Sequence, residues 1–179
     1  MQQMIYLAGG CFWGIQGYFD LLAGSLRTRV GYANSKVYAP NYEMVCSGES
    51  GAVEALELIY DAGVLPLEKI LKHFFKIIDP CALNFQGNDY GTQYRSGIYV
   101  KNSQELPFIQ EYVKALQQNY SRPIVTEIKE LENFFEAEEY HQKYLAKNPL
   151  GYCHIDLTKA YHDEEISPEF RVRGGGVKN

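Results

Sequence analysis

The stretch "LAGGCFWG", Leu7 to Gly14, sets a cysteine between two glycines and a Phe-Trp pair. Ile5 to Ala8 is a short apolar run bounded by Gly9-Gly10, which reads as a strand entering a turn. Phe12 to Leu22 carries apolar residues at helical spacing, so a helix is predicted to begin just after Cys11. A strand, a turn and a helix in that order put the Cys11 sulfur at a helix N-terminus. Free backbone N–H groups and the helix dipole stabilise a thiolate there. The two glycines permit a tight turn and let another molecule approach the backbone closely. The bland alternative is a buried structural cysteine beside two core aromatics.

Working outward, Thr28 to Tyr32 reads as a second strand and Tyr38 to Gly51 as a long irregular loop. Val53 to Tyr60, "VEALELIY", alternates as a strand does, with Val53, Ala55 and Glu57 on one face and Glu54, Leu56 and Leu58 on the other. Glu54 thus shares a face with two leucines, an odd place for a carboxylate without a task. An amphipathic helix follows from about Pro66 to Ile78, then a polar loop from Asp79 to Ser96. "GIYV" and Ile124 to Leu131 read as strands. Ser103 to Asn119 reads as a helix with Ser103 as its N-cap. Glu136 to Lys147 reads as a charged helix stopped by Asn148-Pro149. Mixed strands and helices without an internal repeat predict a single α+β domain.

The 179 residues suffice for one core, and 46% hydrophobic content predicts a folded chain. No apolar run reaches the ~18 residues of a membrane span, and the N-terminus lacks the features of a signal peptide. A cytoplasmic protein with no membrane partner is expected. The net charge of −5, with no basic patch, counts against nucleic acid as a partner. No heptad repeat is present, and a monomer is expected. The four cysteines, Cys11, Cys46, Cys81 and Cys153, have neither C-x-x-C nor zinc-knuckle spacing. The four histidines show no metal-like grouping. Glu138 and His141 have an i, i+3 spacing known from di-iron helices, but a solvated helix face is the preferred reading. Fifteen tyrosines could supply hydroxyl donors to a polar pocket.

"GGCFWG" resembles the active-site motif of the type A peptide methionine sulfoxide reductases. The likeness continues in order through "VGYANS" (Val30 to Ser35), "NYEMVCSG" (Asn41 to Gly48), "QGNDYGTQYRSGIY" (Gln86 to Tyr99) and "NPLGYCHI" (Asn148 to Ile155). It spans roughly Met4 to Ile155. The resemblance implies a two-layer α+β sandwich of ferredoxin-like type, a mixed or antiparallel sheet with packed helices. A catalytic domain over 1–160 and a flexible tail over 161–179 are expected.

The resemblance also implies a chemistry. A thiolate attacks the sulfur of a methionine S-sulfoxide, protein-bound or free, and the oxygen gains a proton. The cysteine is left as a sulfenic acid, which a second cysteine converts to a disulfide. Cys11 would be the nucleophile. Phe12 and Trp13 would hold the S-methyl group, and Glu54 would be the acid, its pKa raised on an apolar strand face. Tyr42 and Tyr94 would bind the oxygen, and Asp89 would order the pocket. Cys153 would be the one resolving cysteine, since no cysteine follows it, and thioredoxin would reduce the Cys11–Cys153 disulfide. No metal and no cofactor is implied beyond that external reductant. Cys46 reads as core or near-site. Two departures stand out: Ile78-Asp79-Pro80-Cys81 where His-Asp-Pro-Thr is usual, and Ala52 where a histidine is common.

Two other classes use the same residues. A thiol peroxidase would form the same sulfenic acid from peroxide, without needing Phe12-Trp13 or a protonated Glu54. A module that merely binds oxidised methionine would need no Cys153.

Overall fold

The apolar run ahead of the glycine pair pairs on both sides, and the sheet grows from it. The computed structural model describes residues 1–161 and 166–168. In chain order it contains β1 (Gln2–Ala8), α1 (Phe12–Phe19), β2 (Ser25–Ala33), α2 (Tyr42–Cys46), β3 (Val53–Asp61) and α3 (Leu67–Ile77). These are followed by β4 (Phe85–Gln86), β5 (Asp89–Tyr90), β6 (Gly97–Val100), α4 (Leu106–Leu116) and β7 (Glu127–Glu130). The last elements are β8 (Phe134–Glu136), α5 (Tyr144–Lys147) and α6 (Thr158–Tyr161).

The main sheet has the order β7-β6-β1-β3-β2-β8. Every pair is antiparallel except β6 with β7. Its central part, β6-β1-β3-β2 with α1 and α3 as connections, is the ferredoxin-like α+β arrangement expected. The period-two alternation sorts the side chains as the sequence predicts. Ile5, Leu7, Leu56 and Leu58 face Phe12, Ile15 and Phe19 of α1 and Ile70, Leu71 and Phe74 of α3 in one core. Tyr6, Ala8, Val53, Ala55 and Tyr99 form a smaller cluster on the opposite face. Glu57 is buried there as well. Burial would raise its carboxyl, but hydrogen bonds from Arg29 and Tyr6 outweigh burial and hold it below the usual range.

Four expectations need correction. The predicted loops are not wholly irregular. Tyr38 to Gly51 holds α2, capped by the Asn41 side chain, which accepts from the Met44 amide at 2.9 Å. Asp79 to Ser96 holds the β4–β5 hairpin and a 3₁₀ turn over Thr92–Tyr94. Asn102, not Ser103, accepts at the next helix start, from the Gln104 amide at 3.0 Å, and α4 proper begins at Leu106. The strand predicted over Ile124 to Leu131 is shorter.

The largest difference is Glu136 to Lys147, which is no continuous helix. Glu136 ends β8, Glu138 is non-helical at ψ 149°, Glu139–His141 form a single 3₁₀ turn, Gln142 is extended, Lys143 is left-handed at φ 55°, and only Tyr144–Lys147 is α-helical. Its polar side chains are used inward, and this outweighs helix propensity. The Gln142 amide pairs with both backbone groups of Val30, at 3.0 Å and 2.8 Å, continuing the sheet edge where β8 stops.

Among the described residues no helix is long and apolar enough to cross a membrane. Most of the tail expected from 161 lies outside the described residues. Ile166 is buried and bridges Leu22, and the Ser167 amide donates to the Leu21 carbonyl at 2.8 Å.

Candidate active site

The strand-to-helix turn brings Cys11 to the end of α1, where its backbone is not yet helical (φ −57°, ψ 124°). Gly10 sits at φ +90°, and a Cβ there would lie 2.7 Å from Gln86 Cβ, so glycine lets the β4–β5 hairpin pack on the turn. That hairpin carries Asp89. The 3₁₀ turn behind it carries Tyr94, and α2 carries Tyr42 from the other side.

Glu54 comes from the start of β3, as its second residue, opposite Tyr32 in the ladder. The residue is 1% exposed, and its Oε1 accepts from the Phe12 backbone N–H at 3.2 Å. Burial pushes its pKa up to about 8, the Phe12 N–H opposes this, and Asp89 adds to it. Near neutrality the group is therefore a buried acid with a proton to give.

A cavity of ≈ 150 Å³ is lined by Cys11, Phe12, Trp13, Tyr42, Glu54, Asp89, Tyr94 and Tyr152. That is room for a thioether head rather than a single water, whose share of liquid volume is about 30 Å³. Seven of the eight residues singled out from sequence line it. The eighth, Cys153, stands beside it. A Cβ on Gly14 would be 3.1 Å from Cys153 Sγ, so the thiol rests on the first turn of α1. All four cysteines are free.

The electrostatics of Cys11 correct one expectation. The sulfur is buried, and its thiol is pushed up, not down. Burial is the largest cause and the Glu54 charge adds to it. The Trp13 backbone N–H opposes both, and Asp89 and Cys153 raise the value further. The helix N-terminus contributes, but desolvation outweighs it. Protonation of Glu54 removes one of the two leading obstacles to a thiolate.

Tyr42 and Tyr94 are likewise raised, by burial first, and both stay protonated donors. Cys46 is an exposed residue at the end of α2, close to Tyr42, so it is near-site and not core. Cys81 lies away from the cavity, its thiol donating to the Arg122 carbonyl at 3.3 Å.

The sequence reading missed the residues that hold the aromatic wall. Trp13 Nε1 donates to His141 Nδ1 at 3.0 Å, and its ring stacks on Tyr144 at 3.7 Å between centroids. His141 also packs against Phe12 at 5.1 Å and Tyr42 at 4.8 Å. It is 1% exposed, and burial keeps it below its ordinary pKa. Glu138 accepts from the Tyr32 hydroxyl at 2.9 Å and from the Tyr42 backbone N–H at 3.3 Å. Neither residue belongs to a solvated helix face. Tyr152 was also missed, although it directly precedes Cys153. Its hydroxyl donates to Asp89 Oδ2 at 3.1 Å and closes one side of the cavity.

The same arrangement of sequence recurs elsewhere. The sequence model of the family described as Peptide methionine sulfoxide reductase matches residues 3–169. Peptide methionine sulfoxide reductase MsrA of Malacoplasma penetrans (strain HF-2) is 55% identical over 157 residues, 88% of this chain and 98% of that protein. The crystal structure of Mxr1 from Saccharomyces cerevisiae in reduced form superposes with a TM-score of 0.80 at 38% identity, covering 85% of this chain and 88% of that one. The structure of Mxr1 from the same yeast in complex with Trx2 gives a TM-score of 0.57 at 26% identity, covering 80% and 84%. With nearly its whole length matched in sequence and its fold matched in space, the chain belongs to the peptide methionine sulfoxide reductase family.

Proposed function

We propose that this chain reduces methionine S-sulfoxide, in proteins or free, with Cys11 as nucleophile, Glu54 as acid and Cys153 as resolving thiol. The observation that carries the reading is Glu54: a residue 1% exposed, its carboxyl raised to about 8, and set in one cavity with a cysteine and three tyrosines. A sulfoxide oxygen is a strong acceptor. Protonated Glu54, Tyr42 and Tyr94 are three donors for it, and Asp89 with Tyr152 orders the rest of the pocket. Phe12 and Trp13 give the methyl group an apolar wall.

In the first half-reaction Cys11 Sγ attacks the sulfoxide sulfur while Glu54 gives its proton to the oxygen, and the proton that the Cys11 thiol gives up restores the Glu54 acid. The S–O bond to the substrate breaks, the oxygen passes to Cys11 as a sulfenic acid, and methionine leaves reduced. In the second, Cys153 attacks the Cys11 sulfur, an S–S bond forms, and the oxygen leaves as water. Thioredoxin returns both thiols by exchange. The yeast relative solved with Trx2 supports that partner.

The reading takes 1–160 as the catalytic domain, acting as a monomer in the cytoplasm, where thiols are kept reduced. A peroxidase would have no use for a protonated Glu54 or an aromatic wall. The test is turnover of separated epimers of a methionine sulfoxide peptide with thioredoxin. Consumption of the S epimer alone is expected, and consumption of neither would contradict the proposal.

A further inference from the structure

We infer that His154 is a positioning residue for the second half-reaction: its bond to the Gly9 carbonyl latches the segment carrying Cys153 over the turn that carries Cys11. The inference rests on the reading of Cys153 as the resolving thiol.

His154 Nε2 lies 2.9 Å from Gly9 O. A carbonyl can only accept, so Nε2 carries the proton and the neutral ring leaves Nδ1 as a bare acceptor. Nδ1 is buried with no hydrogen-bond partner among the described residues. The ring occupies a slot that two glycines open. A Cβ on Gly10 would lie 2.8 Å from Nε2, and one on Gly14 would lie 3.4 Å from Cε1. Cys153 Sγ is 3.1 Å from the same Gly14 position, so imidazole and thiol rest side by side on the first turn of α1. Residues far apart in sequence are thus held together before any disulfide exists, and the entropy of closing that loop is already spent.

His154 takes no part in the bond exchange. The Cys153 thiolate attacks the Cys11 sulfur, the S–S bond forms and the S–O bond breaks. The departing hydroxide takes up the proton that Cys153 lost. The latch sets where Cys153 stands when that attack begins.

The latch holds only the neutral ring. Protonation would put a charge and an N–H without an acceptor into the slot. Of the elements around it, β5 presents Asp89, β4 presents the neutral Gln86, and the first turn of α1 carries no acidic side chain. The neighbouring Cys153 thiol is itself held up by burial. Burial of the ring outweighs the opposing Gly9 carbonyl and Asp89, and His154 titrates below its ordinary value. The latch is therefore complete above about pH 6.5, the unperturbed value, and is lost as pH falls into the depressed range.

The test is a rapid-quench count of the methionine burst and of the Cys11–Cys153 disulfide after one equivalent of a methionine sulfoxide peptide. Wild type, His154→Ala and His154→Gln are compared; glutamine offers a donor to Gly9 but does not titrate. Expected is an unchanged methionine burst in all three and a disulfide step about tenfold slower in His154→Ala, the worth of one hydrogen bond. His154→Gln should keep the step near wild type at neutral pH and lack the wild type's additional loss at acid pH. Equal disulfide rates in wild type and His154→Ala, or an acid limb unchanged in His154→Gln, would overturn the latch. A wild-type burst with no Cys11–Cys153 disulfide would overturn the resolver assignment and the latch with it.

Discussion

The carboxyl of Glu54 and the backbone of Phe12 are joined by a 3.2 Å hydrogen bond, so the buried acid is fixed to the turn that presents Cys11. Glu54→Gln keeps an acceptor for that N–H and removes the transferable proton. The methionine burst should fall by about 10²- to 10⁴-fold, the usual worth of a general acid. In wild type the burst should also weaken as pH rises through about 8, because the acid then loses its proton. That alkaline limb should be absent from the residual activity of Glu54→Gln. Single-turnover methionine release against pH checks both.

The same group costs stability. Its pKa stands at about 8 in the fold against 4.5 for the ordinary side chain. Between those values the folded chain holds a proton that the unfolded chain has released. Stability from this group is full below the lower value and is lost as pH rises toward the upper one. Glu54→Gln does not titrate and should be the more stable protein near neutrality, by roughly 3 kcal/mol, with the gap closing in acid. Urea unfolding of both proteins at two pH values measures it.

Trp13 is the single tryptophan, which makes the wall of the cavity directly visible. His141→Ala removes the acceptor of its Nε1–H and the ring packed between Phe12, Trp13 and Tyr42. The fold should lose about 2–4 kcal/mol through the cavity and the orphaned donor. Trp13 emission should shift to the red, and KM should rise more than kcat falls. Fluorescence and steady-state kinetics on the same samples decide it.

Gly14→Ala separates the two half-reactions by sterics. In a helix alanine is favoured over glycine by about 1 kcal/mol. Here its Cβ would press on Cys153 Sγ and Ile155 Cδ1, each at 3.1 Å. The methionine burst should be unchanged, and turnover with thioredoxin should drop several-fold because the resolver is displaced. Comparing burst size with steady-state rate reads this directly.

The strand-turn-helix around Cys11 and the alternation that buries Glu54 were legible because each is a local pattern with one period. Six of the eight cavity residues, Cys11, Phe12, Trp13, Tyr42, Asp89 and Tyr94, were legible through ordered motifs. The segment from Glu136 to Lys147 was not. Its charged and polar residues have helical spacing, but Glu138, His141 and Gln142 are spent on Tyr32, Trp13 and Val30. Those partners are about a hundred residues distant in sequence, and no local propensity reports them. The thiol pKa of Cys11 was misjudged for a related reason. A helix N-terminus is visible in sequence, whereas the burial that overrides it is a property of the assembled site.

The most direct measurement is peptide mapping by mass of the reduced protein after one addition of a methionine sulfoxide peptide without reductant, with Cys153→Ser beside it. The account predicts stoichiometric methionine in both proteins, a Cys11–Cys153 link with loss of two hydrogens in wild type, and a Cys11 sulfenic acid in Cys153→Ser. Methionine formed with the link at Cys46 or Cys81 would contradict the assignment of Cys153, and no methionine at all would contradict the chemistry assigned to Cys11 and Glu54.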